Sequence, residues 1–165
     1  MRTIAFFNNK GGVGKTTTVY HVAWMMSELG IRTIAIDLDP QSNLTSMFLT
    51  GEKLEDENNS PVTILEAITP IVNGDPAVPV HIEKINENLG LILGNLTLST
   101  FEDVLSDAWL KCLDSQVYPF RITSIFKTII SEAALRFNAS VVLVDVGPNL
   151  GAINRAVSIS SDYII

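Results

Sequence analysis

The sequence carries one cysteine, Cys112, so no disulfide can close within the chain, and the apolar neighbours Trp109, Leu110 and Leu113 predict a thiol buried for packing rather than for reaction. Histidine is almost as scarce: His21 falls in a predicted helix and His81 in a loop, without metal-ligand spacing, and neither is assigned a role. No apolar run reaches the roughly 18 residues that cross a bilayer, and the start lacks a cationic segment leading into a cleavable apolar region. An intrachain disulfide scaffold is thereby excluded, and the expected location is cytoplasmic, with no membrane segment. Basic residues are outnumbered, 11 Lys and Arg against 18 Asp and Glu, and the net charge of −7 argues against a broad nucleic-acid surface while leaving room for a local patch. What is plentiful is apolar. With 47% hydrophobic residues, 165 residues can bury one core and not two, so residues 1–165 read as a single α/β domain.

Short apolar runs alternate with helical patterns, which predicts a parallel sheet covered on both faces. Residues 3–7 read as the first strand, 15–29 as a helix with Val19, Val22, Ala23, Met26 and Leu29 inward and Gly30 as its stop, and 32–36 as the second strand. The acidic, polar stretch 50–61 suits a solvated loop, and Pro61, Pro70, Pro76 and Pro79 punctuate a region where only 64–68 looks helical. Further on, 89–93 and 141–144 read as strands, 101–113, 122–137 and 150–158 as helices, and 163–165 as a strand barely begun. In the helix 122–137, Ile125, Phe126, Ile129, Ala133 and Phe137 are expected to face inward.

The most informative segment is Asn8-Asn9-Lys10-Gly11-Gly12-Val13-Gly14-Lys15-Thr16-Thr17, between the first strand and the first helix. Glycines let successive backbone N–H groups converge on phosphate oxygens without a Cβ in the way, and the helix start adds its partial positive charge. Lys15 would carry a point charge to the β- and γ-phosphates, and Thr16 would offer its hydroxyl to Mg²⁺. At average composition, such a run arises by chance roughly once in 10⁵ chains of this length. A flexible turn is the plain alternative. The generic phosphate-loop spacing wants a glycine where Asn9 stands, and Lys10 is an additional basic residue.

With Lys10 through Thr17 reading Lys-Gly-Gly-x-Gly-Lys-Thr-Thr, the chain resembles the ParA/MinD family of ATPases and their deviant Walker A loop. Asp37-Leu38-Asp39-Pro40-Gln41 looks like the family's Asp-x-Asp-Pro-Gln segment, more as in ParA than in MinD, and Val141-Val142-Leu143-Val144-Asp145-Val146-Gly147-Pro148 looks like the Walker B strand, with Gly147 where many relatives carry a first proline. The resemblance implies a P-loop three-layer α/β/α fold with a mostly parallel central sheet, here truncated at the C-terminus, since relatives continue into strands and helices that contact adenine and DNA or membrane. The single cysteine sets aside the iron–sulfur relatives.

The expected site follows. Lys10, Gly11, Gly12, Val13, Gly14, Lys15, Thr16 and Thr17 would bind ATP; Thr16 would ligate Mg²⁺, Asp145 would hold the metal's water shell, and Asp37 would share that task as the resemblance suggests. Asp39 would orient or deprotonate the attacking water, unless it merely caps a helix over Gln41 to Leu44. Lys10, by resemblance, would cross a two-fold interface to the partner's nucleotide. The implied activity is a slow, partner-stimulated ATPase forming an ATP-dependent homodimer for DNA or plasmid partition or cargo positioning. A small DNA-binding adaptor would stimulate hydrolysis, and non-specific DNA would bind through surfaces missing from this chain. The alternative is a nucleotide-binding or interaction module without turnover. A tyrosine kinase built on the same loop usually has a tyrosine-rich tail, for which Tyr163 alone is poor support.

Overall fold

The computed structural model describes residues 1–49, 62–114 and 117–165; the expected loop over 50–61 lies outside them. Strands β1 (Arg2–Phe6), β2 (Thr33–Leu38), β3 (Glu83–Lys84), β4 (Leu89–Ile92), β5 (Val141–Val146) and β6 (Tyr163–Ile164) form one sheet in the order β3-β4-β2-β5-β1-β6. Every pairing is parallel except β3 on β4. Around the sheet lie α1 (Lys15–Glu28), α2 (Asn43–Phe48), α3 (Leu65–Val72), α4 (Phe101–Lys111), α5 (Val117–Thr123), α6 (Ile125–Phe137) and α7 (Ala152–Ser160). The expected three-layer, mostly parallel architecture is the one found. Among the described residues no helix is long and apolar enough to cross a membrane.

The central strands β2 and β5 are apolar almost throughout because both their faces are covered. Ile34, Ile36 and Leu38 of β2 and Val142, Val144 and Val146 of β5 enter a core with Ile68, Leu105, Ile122, Phe126 and Ile153 from α3 to α7. Ala35 and Leu143 pack the other way, with Phe6 and Leu91, against Val19 and Ala23 of α1 and Leu44 of α2. Side chains alternate along a strand with period two, so Asp37 and Asp145 take the α1 face as well, and the register sets them opposite each other across β2 and β5. That alternation is what delivers the two carboxylates beneath the glycine loop.

Four expectations are revised. β2 runs on through Asp37 to Leu38 and β5 through Asp145 to Val146, because the buried carboxylates are held by donors and do not end their strands. Helix α1 ends at Glu28 with Gly30, at φ +75°, as its expected stop, but Leu29 leaves the inward face and is 70% exposed, and Ser27 is buried instead, its hydroxyl donating to Asn86 at 2.9 Å. Helix α3 continues through Pro70 to Val72, as burial of Ala67, Ile68 and Ile71 outweighs the lost backbone donor. The expected helix over 122–137 is divided at Ser124, whose hydroxyl donates to the Phe120 carbonyl at 2.6 Å.

Cys112 is also less buried than its neighbours imply. It sits in a 3₁₀ turn after α4, half-buried, with Sγ 3.6 Å from Thr123 Oγ1, while Leu110 and Leu113 face solvent. The inward residues expected of α6 are found so, with Ile125, Phe126, Ile129 and Ala133 buried and Phe137 packed against the core.

Candidate nucleotide site

β1 feeds the exposed run from Asn8 to Gly14, which opens into α1. Gly12 and Gly14 take φ of +72° and +84°, left-handed values that a side chain disfavours; Gly11 stays outside that region. A Cβ built on Gly11, Gly12 or Gly14 meets no atom within 4 Å, so the bare main chain faces open space. The Gly14 carbonyl accepts from Thr18 N at 2.9 Å and Thr18 Oγ1 at 2.8 Å, which closes the first turn and leaves the preceding helix amides turned toward the cleft. This cleft, of about 580 Å³, is lined by Lys10 through Thr17 and by Asp39, Gln41, Asn43, Ser46, Met47 and Pro148.

Beneath its floor Asp145 is fully buried. Lys15 Nζ donates to Asp145 Oδ1, and Asp145 Oδ2 has no partner. Burial pushes this carboxyl above its ordinary range even against Lys15 and Thr16. Asp37, also fully buried, accepts from Thr45 N and Thr45 Oγ1, both at 2.8 Å, through Oδ2, and from Asp39 N at 3.2 Å through Oδ1. Burial raises it to about 6, opposed by the Thr45 hydrogen bonds. Asp39 is 5% exposed, and its Oδ1 accepts from Gln41 N at 2.9 Å while the side chain borders the cleft.

Lys10 to Thr17 and Asp39 therefore gather on one cleft, Asp145 meets Lys15 from below, and Asp37 stands behind Asp39 outside the lining. The helix cap weighed for Asp39 is not found, since the helix begins at Asn43 with Ser42 as its N-cap; the carboxylate instead accepts from Gln41 N two residues on, and the side chain stays on the cleft. Among the described residues no group of three His, Cys, Asp or Glu side chains gathers to hold a metal. The donor set at hand is the Thr16 hydroxyl and a buried carboxylate with an orphan oxygen, which fits a hard cation whose remaining oxygens come from phosphate and water.

Sequence reading missed Thr45 and Gly94. Thr45 has no local signal; Gly94, directly after the β4 run, carries a weak one for close backbone approach. Gly94 N donates to Thr45 Oγ1 at 2.9 Å, and a Cβ there would lie 2.9 Å from both Asp37 Cγ and Ser42 Oγ. Asp37 cannot yield without loosening the Thr45 hydrogen bonds. Gly94→Ala is expected to cost about 1–3 kcal/mol, read as a lowered Tm; an unchanged melting curve would show that Asp37 is not held rigidly.

The AAA domain family (AAA_31) matches residues 1–165. A 46-residue stretch is 54% identical to the chromosome-partitioning ATPase Soj of Thermus thermophilus, covering 28% of this chain and 18% of Soj. The chain belongs to the ParA/MinD family. Over its whole length this ParA/MinD chain is 33% identical to MJECL24, an uncharacterized protein of Methanocaldococcus jannaschii, spanning 58% of that relative. Among solved structures, Corynebacterium diphtheriae protein DIP2308 matches with TM-score 0.88 and 34% identity, over 99% of this chain and 57% of its own. Cobyrinic acid a,c-diamide synthase of Mycobacterium smegmatis, with bound ADP and magnesium, matches with TM-score 0.70 and 26% identity, over 99% and 58%. The chain thus spans little more than half the length of these full-length matches. Gly147, a departure from many ParA/MinD relatives, is not forced by space: a Cβ there would stand 3.5 Å from Asp39 Oδ1 and Pro40 Cδ, ordinary contact distances.

Proposed function

We infer that residues 1–165 form one P-loop ATPase domain, a ParA-type switch that binds and slowly hydrolyses ATP with Mg²⁺. The observation that carries this reading is the stack of an open, glycine-turned loop over Lys15, which bonds a buried carboxylate with one free oxygen, with Thr16 on the same cleft. Phosphoryl transfer needs position and charge stabilisation more than covalent help. The amides of Gly11 to Thr17 and the Lys15 ammonium hold the phosphates, Thr16 and Asp145 hold the metal and its water, and Asp39 orients the attacking water. Magnesium, when bound, neutralises charge that develops on the phosphate oxygens. Asp37 acts from behind, keeping the Asp39 backbone in place through Oδ1.

Lys10 stands exposed at the rim of the cleft, where it can reach a nucleotide held by a second copy. The switch then pairs two chains on ATP, engages a DNA-bound or other cargo through a small DNA-binding adaptor that stimulates hydrolysis, and separates on turnover; plasmid or chromosome partition in the cytoplasm is the setting this supports. Magnesium-dependent phosphate release above background tests the enzyme, whereas tight ATP binding with no release would leave a nucleotide-binding module. Lys10→Ala is expected to keep ATP affinity within about threefold, since an exposed rim charge contributes little to binding its own ligand, and to lose ATP-dependent association by light scattering. Association equal to wild type would rule out the role in trans.

A further inference from the structure

The loop from Gly147 to Gly151, between β5 and α7, is fastened by side chains that no motif announces. Helix α7 buries Ala152, Ile153, Ala156 and Val157, yet the same buried face keeps one amide, Asn154, 4% exposed. Its Nδ2 donates to the Gly147 carbonyl at 2.7 Å and to the Asn149 carbonyl, so both its hydrogens are used on the loop, and the carbonyl partners orient the amide. Asn149 Oδ1 accepts from Gly151 N at 3.0 Å. From α4, the Glu102 carboxylate accepts from Ala152 N and, at 3.3 Å, from Ile153 N, pinning the start of α7. The loop held in this way is a wall of the site: Pro148 lines the cleft, Gly147 runs close enough to Asp39 that a Cβ built on it would stand 3.5 Å from Asp39 Oδ1, and Asp145 lies two residues before Gly147.

We propose that Asn154, supported by Glu102, is a positioning residue for hydrolysis, clamping the Gly147–Asn149 loop so that Asp39 stays aimed at the phosphate cleft. The inference rests on the nucleotide reading of that cleft. A leucine at 154 would suit the apolar face, but would leave two inward carbonyls without a donor. Because Asn154 and Glu102 touch neither the phosphate loop nor Lys15, their loss reaches turnover through Asp39 and not through affinity.

Asn154→Asp keeps the shape and removes both donors. The expected result is a kcat lower by roughly 10–100-fold, the range for removing an outer partner of a catalytic group, with ATP affinity by calorimetry within about threefold and faster deuterium exchange confined to amides 147–151. Glu102→Ala, at a half-buried position where folding is safer, should move kcat and exchange in the same direction by less. A kcat within twofold of wild type in folded Asn154→Asp or Glu102→Ala protein overturns the proposal even if Tm falls, and so does an ATP affinity that falls in step with turnover. Wild-type protein that takes up no ATP overturns instead the nucleotide reading beneath it.

Discussion

Replacing Lys15 by alanine should remove ATP uptake and lower stability in the same variant. The ammonium is set at the phosphate loop's helix start, and in this structure it bonds the buried Asp145 carboxylate; the two side chains are 10% and 0% exposed. Removing one partner of a buried pair costs about 3–5 kcal/mol when the other charge is left uncompensated. Asp145 can escape part of that cost by taking up a proton, because burial already raises its pKa, and without Lys15 the largest opposing influence is gone. A carboxyl whose folded pKa lies above its ordinary 3.8 makes the folded state bind more protons than the unfolded one, so the variant's stability falls as pH rises from about 3.8 toward neutrality. Lys15→Ala should therefore melt closer to wild type at pH 5 than at pH 7.5. Lys15→Ala combined with Asp145→Asn should regain Tm without regaining ATP binding, which separates the structural effect from the ligand effect. Equal ATP affinity in wild type and Lys15→Ala, measured by calorimetry with magnesium, would end the nucleotide reading.

Asp39→Ala is expected to bind ATP within a few-fold of wild type and to lose turnover by about 10²–10⁴-fold, the usual contribution of a positioned acid or base. Asp39 also accepts from Gln41 N, so truncation removes a turn contact together with the carboxylate. Asp39→Asn separates the two roles, since its amide oxygen can still accept from Gln41 N while the charge and basicity are gone. Phosphate release falling equally in both variants supports a chemical role. Release that survives in Asp39→Asn and is lost only in Asp39→Ala would assign Asp39 to the turn.

These two experiments probe different kinds of knowledge. Lys15, Thr16 and the glycines were legible because they act from one contiguous run: their function lies in main-chain conformations that glycine permits, and Gly12 and Gly14 adopt the left-handed angles concerned. Asp37 and Asp145 were legible as carboxylates at the C-terminal ends of two apolar runs, whereas their place inside the strands and on one face came from the register. What Asp37 does there was not legible. Its donor Thr45 lies 8 residues on, and Thr45 is held to Gly94 across 49 residues of chain.

Chain order and residue type determined the α/β alternation, the parallel sheet and the phosphate cup, since each depends on periodicity or on conformations within a few neighbouring residues. Tertiary structure decided which carboxylate meets Lys15 across 130 residues, that Leu29 and Cys112 leave the buried positions their local pattern predicts, and that Glu102 and Asn154 hold the wall behind Asp39. The physical reason is that hydrogen bonding and burial at those points are set by elements meeting in space, and a short window of sequence carries no record of what will stand opposite it.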